Sequence, residues 1–222
     1  GGEGGEAGAA PVAADQTVDL LVNLAKVEAH ALTALDLAAA GDAKGAADQL
    51  HGAKEDIFEN IEGALKDHKA PIFEDALLSL TKAVAKGKPA ADLKADHAAL
   101  QAGIEAARAA IAPTAKEELA AVLALTREAA GDFDTGVKDG KLAEAGEYQD
   151  ARAYLLAGRE VLARLAGSAD PVVKGAAEKS AAALDPVIAA LPDVLPKGPV
   201  GADPGMILSA AARIELAAYP VK

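Results

Sequence analysis

The chain has 222 residues, 51% of them apolar, enough for a hydrophobic core, which excludes global disorder. Twenty-two basic residues against 34 acidic ones leave a net charge of −12, so nucleic acid and anionic membrane surfaces are excluded as attracted partners. The absence of Cys excludes disulfides, thiolate metal sites and cysteine nucleophiles. With Ala at roughly a quarter of the residues and aromatics at 3%, closely packed helices are favoured over sheets.

The opening Gly1-Gly2-Glu3-Gly4-Gly5-Glu6 lacks a Met, and residues 1–16 read as a flexible tether behind a removed leader or anchor. From Thr17 the period is helical: Leu20, Leu24, Ala31 and Leu35 share a face, and Gly41 suits a C-terminal cap. Asp42 caps a second predicted helix to about Asp67, with Ala46, Leu50, Ile57, Ile61 and Ala64 inward. A third runs from Pro71 to Gly87 through Phe73, Leu77, Leu80 and Val84. A fourth starts near Pro89 with Leu93, His97, Leu100, Ile104 and Ile111 on one stripe.

Thr114-Ala115-Lys116-Glu117 is a capping box for the fifth helix, whose inner residues are Leu119, Val122, Leu123, Ala129, Phe133 and Val137. The sixth follows Asp139-Gly140 and the seventh opens at Asp170-Pro171. The proline-rich stretch from Pro192 to Gly205 is not helical throughout, and a short eighth begins at Asp203-Pro204. No segment sustains a two-residue alternation, so no strands are expected. The reading is all-α: an up-and-down antiparallel bundle of seven or eight helices. A seam at Ala112-Pro113 suggests two four-helix halves, 17–112 and 113–222, in one domain or two.

Four histidines are the first candidates for chemistry. His30 lies eleven residues before Gly41 and His51 ten after it, so a hairpin there sets both at matching height, with Glu55 one turn from His51. Histidine and carboxylate ligands across bundle helices suit divalent iron, copper, zinc or manganese. The alternative is that these are polar flanks of amphipathic helices. Glu28 falls on the apolar face between Leu21, Leu24, Leu32 and Leu35. Its partner is a cation, a Lys or Arg of another helix, or a proton. His97 reads as a core histidine with a hydrogen bond, and His68 as a helix-end residue. The aspartates of Gly131-Asp132-Phe133-Asp134 miss the register of a calcium loop. No nucleophile elbow, phosphate-binding glycine loop or paired Glu-x-x-His occurs, so an enzyme is not expected.

Residues 126–155 carry Arg127-Glu128, the Val137-Lys138-Asp139-Gly140 turn and Glu147-Tyr148-Gln149-Asp150-Ala151. This stretch resembles the soluble periplasmic segment of bacterial high-affinity iron permeases. The permease motif Arg-Glu-x-x-Glu is not completed, since Gly131 stands at its last position and no apolar span surrounds it, so transport by this chain alone is excluded. Residues 27–65 resemble exported proteobacterial proteins with a Gly/Glu leader. Glu28, His30, His51, Glu55 and Phe58 fall on their Val-Glu-Gly-His and His-Pro-x-x-Glu-hydrophobic-aromatic pattern, with Gly52 in place of the proline. These resemblances imply an exported, periplasmic protein that binds a metal through Glu28, His30, His51 and Glu55, iron first, or assists a metal-transport component. The competing expectation is a non-catalytic envelope interaction protein.

Overall fold

A computed structural model describes the backbone of residues 9–222 and the side chains from Gln16 onward, Ala90 and Ala91 apart. Helix α1 spans Ala9–Ala39, eight residues ahead of the expected start at Thr17. Pro11 is tolerated in its first turn, where an N–H has no helical acceptor. The first eight residues of the expected tether lie outside the described residues.

Helix α2 (Ala43–Gly52) begins at Asp42, whose carboxylate accepts from Gly45 N at 2.8 Å. It runs through a π-helical turn, Ala53–Phe58, into α3 (Glu59–Asp67). The wide turn adds one residue to the repeat, so Ile57 and Phe58 are both buried and the inward stripe slips by one. Leu65 is therefore the core residue, and Ala64, expected inward on an uninterrupted α-period, is exposed. Helices α4 (Glu74–Ala85) and α5 (Ala90–Ile111) complete this group, and Gly41 and Gly87 close its hairpins at φ values of 86° and 62°.

Ala112 turns the chain in a left-handed conformation (φ 52°), and the capping box then forms as expected. Thr114 Oγ1 accepts from Glu117 N at 3.2 Å while Thr114 N donates to Glu117 Oε2 at 2.7 Å. Helix α6 (Ala115–Gly136) follows, then β1 (Val137–Lys138), β2 (Lys141–Leu142) and α7 (Ala145–Leu165). The two-residue antiparallel ladder corrects the expectation of no strands. Asp139 and Gly140 both have positive φ, the geometry of a tight hairpin turn, and the ladder is too short to leave an alternating pattern. Helices α8 (Pro171–Ala189) and α9 (Pro204–Ala218) start at Asp170 and Asp203, which cap them through their carboxylates.

Helices α6 to α9 form an up-and-down four-helix bundle in which each packs on its chain neighbours and α9 closes against α6. The rod α2–π–α3 closes with α1, α4 and α5 in the same way. Helix α1 serves both cores. Leu20, Leu24, Val27, Ala31 and Leu37 enter the first, whereas Leu21, Val22, Ala25 and Ala29 enter the second, so both faces of α1 are apolar.

Candidate functional site

The four sequence candidates separate. Glu28 is half-buried towards α5 and accepts from Gln101 Nε2 at 3.0 Å, a neutral donor in place of the expected Lys, Arg or cation. His97 lies near it, largely buried, with Nε2 unpartnered. Burial lowers the His97 pKa, and the Glu28 charge partly opposes that. His51 is exposed. Glu55 is exposed beside Lys54, which also bonds Glu59 at 2.6 Å; these hydrogen bonds raise the Lys54 pKa. His68 is exposed at the end of α3, as expected.

His30 does meet the second helix, but at Gln49. Gln49, eight residues past Gly41, and not the exposed His51 lies on the side of α2 facing α1. Gln49 Nε2 donates to Asp150 Oδ1 at 3.3 Å, so its Oε1 is the atom 2.5 Å from His30 Nδ1. A carboxamide oxygen only accepts, so the imidazole donates from Nδ1 and its Nε2 is left for another partner. The Tyr154 hydroxyl stands 3.5 Å from that nitrogen. A chain of polar groups thus runs from Tyr154 through His30 and Gln49 to Asp150, joining α1 and α2 to α7.

His30, Gln49 and Asp150 of this chain line a pocket of about 450 Å³, whose wall also includes Asp42, Asp48, Asp56 and Gln149. Lys44, the one basic residue in that wall, is held by Asp48 at 2.6 Å. Behind Asp150, Glu128 and Asp132 on α6 face Glu147 on α7. Lys26 of α1 pairs with Glu128 and lies 5.2 Å from the Tyr154 ring centroid. Burial, then the charges of Glu128, Glu147 and Asp150, push the Asp132 pKa up to about 7. Burial also raises Asp150, opposed by His30, the Gln49 hydrogen bond and Lys26. Tyr154 is raised by burial and by the same carboxylates. The site therefore concentrates negative charge around two lysines and a histidine.

Arg152, two residues beyond Asp150, holds the surroundings in place. It donates to Leu191 O at 3.1 Å and pairs with Asp36 of α1 at 2.9 Å. Tyr148, fully buried, donates to Asp193 O at 2.8 Å. The Tyr148-Gln149-Asp150-Ala151-Arg152 run thus supplies both the pocket and its anchors.

Residues 113–218 match the iron permease-associated 4-helix bundle domain. The match covers α6 to α9 and begins at the turn after Ala112. No curated protein and no solved structure matches the chain. Among the described residues, no helix is long and apolar enough to cross a membrane. Among them too, no three His, Asp or Glu side chains are arranged to hold a metal ion.

Sequence reasoning missed Asp132 and Asp150. Asp132 and Glu147 each lie seven residues from the Asp139-Gly140 turn, on either side of it. The antiparallel return of the chain at this hairpin brings them together.

Proposed function

We propose that this chain is a metal-handling accessory module of an iron-transport system, exported to the periplasm, with divalent iron as its first cargo. The observation that carries the reading is the convergence of two carboxylate sets on Asp150. One comes from the hairpin of the iron permease-associated bundle and the other from Asp42, which caps α2, Asp48 within it and Asp56 of the π-turn. Without three side chains in ligating array, the pocket suits a hydrated cation held through its water shell and by the local negative potential. Such binding is weak and exchangeable, which fits delivery to a transporter better than storage. Calorimetric titration with iron(II), manganese, zinc and copper(II), beside an Asp150→Asn variant, tests it. Saturable binding that the variant weakens supports the reading, and heats no different from dilution oppose it.

A second reading, a non-catalytic envelope interaction protein, is supported by α9. Leu208 and Leu216 of that helix and Tyr219, which caps its end, are 53%, 76% and 90% exposed. Light scattering across a concentration series, repeated for Leu216→Glu, tests whether these residues mediate association.

A further inference from the structure

At the opposite side of α1 from the bundle, the turns at Gly41 and Gly87 frame a second cavity of about 380 Å³, within the ~300–1,000 Å³ range of small-molecule sites. Leu32, Leu35, Ala38 and Ala39 of α1, Val84 of α4 and Leu93 of α5 line it. Leu32, Leu35 and Ala38 remain half-buried there and Ala39 exposed, so apolar surface stays open to solvent.

The charge at this cavity is the inverse of the molecule's. The chain carries −12, yet the lining holds Lys88 and Lys94 against a single acid, Asp36, which the Arg152 guanidinium already pairs. Lys88 pairs with Asp96 at 3.4 Å, a carboxylate that also accepts from the Ser79 hydroxyl at 2.8 Å. Lys94 is exposed and makes no ion pair with any described residue. An apolar trough bordered by two ammonium groups selects a ligand with one apolar chain and one anionic head. Apart from the two lysines and the paired Asp36, its side chains are apolar, which disfavours a peptide, whose backbone needs hydrogen-bond partners.

We propose that this cavity binds a fatty acid anion, its acyl chain against Leu32, Leu35, Val84 and Leu93 and its carboxylate between Lys88 and Lys94. The proposal stands independently of the metal reading, because it shares no residue with the acidic pocket. The test titrates the full chain with dodecanoate, and separately with dodecyltrimethylammonium, both below their micellar concentrations. Dodecanoate binds with a Kd below about 100 µM and the cationic amphiphile at least about tenfold more weakly. The K88E/K94E variant reverses that order. Both lysines are exposed, and an unchanged thermal melt verifies the fold. The A39F variant, which fills the trough from an exposed position, lowers affinity for both amphiphiles. Equal affinity for the two head groups, or dodecanoate binding unchanged in A39F, overturns the proposal. Binding to anionic phospholipid vesicles without binding of dodecanoate overturns it in favour of a membrane surface.

Discussion

His30 Nδ1 and Gln49 Oε1 stand 2.5 Å apart, and this bond links α1 and α2 to Asp150 of the four-helix bundle. Replacing Gln49 by Leu leaves a buried N–H and a half-buried carboxylate without their partner, which costs about 1–3 kcal/mol. Adding His30→Phe to that variant recovers part of the loss, because the orphaned donor is gone as well. Urea unfolding of the three proteins measures both steps. Nitrogen-15 spectra of the native protein at neutral pH show the His30 proton on Nδ1.

Asp132 makes the metal-free protein less stable as pH rises. Its folded pKa of about 7 lies above the unfolded value near ~3.9, so the folded state binds the proton more tightly. That contribution is fully present below about pH 4 and is lost as pH climbs through 7. Asp132→Asn removes the slope and raises stability at pH 8 by on the order of 1 kcal/mol, after discounting for solvent screening. Thermal melts from pH 4 to 8 read the difference.

His97 acts with the opposite sign. Its folded pKa is depressed by burial, so the unfolded chain takes up the proton first as pH falls below ~6.5, and stability drops in that window. His97→Leu flattens the acid side of the stability profile and leaves the alkaline side unchanged. A profile as steep in the variant as in the parent assigns the acid loss to another group.

Two glycines of α6 separate close packing from helix propensity. A Cβ on Gly136 would stand 2.5 Å from Tyr148 N and 2.9 Å from Tyr148 Cα. Gly136→Ala therefore forces the α6–α7 hairpin apart and costs about 1–3 kcal/mol. Gly131 has nothing within 4 Å of that position, so Gly131→Ala stabilises the helix by about 0.5–1 kcal/mol. Equilibrium unfolding distinguishes the two signs.

The helices were legible because each carries a 3.6-residue apolar stripe, and four of them open at a capping residue, Asp42, Thr114, Asp170 or Asp203. Where the stripe slips, the sequence misleads. The π-turn exchanges Ala64 for Leu65, and nothing in the composition of Ala53–Phe58 announces an extra residue per turn. Of the candidate site, the meeting of His30 with the second helix was legible, but not the residue it meets. Spacing about Gly41 locates the level of His30 on α1, while the rotation of α2 that selects Gln49 over His51 is set by burial of Ala46, Leu50 and Ala53. Asp150 drew notice only as part of a motif resemblance, because its role depends on α1 lying against α7, a contact between distant parts of the chain.

The most direct measurement is calorimetric titration of the metal-free chain with iron(II) at pH 7.5 under anaerobic conditions. The account predicts saturable binding with a Kd below about 100 µM, near −5.5 kcal/mol. It also predicts at least a tenfold loss in Asp150→Asn and no change in His51→Ala, whose imidazole is exposed and apart from the pocket. Absence of binding at that level, or equal affinity in Asp150→Asn and the parent, contradicts it.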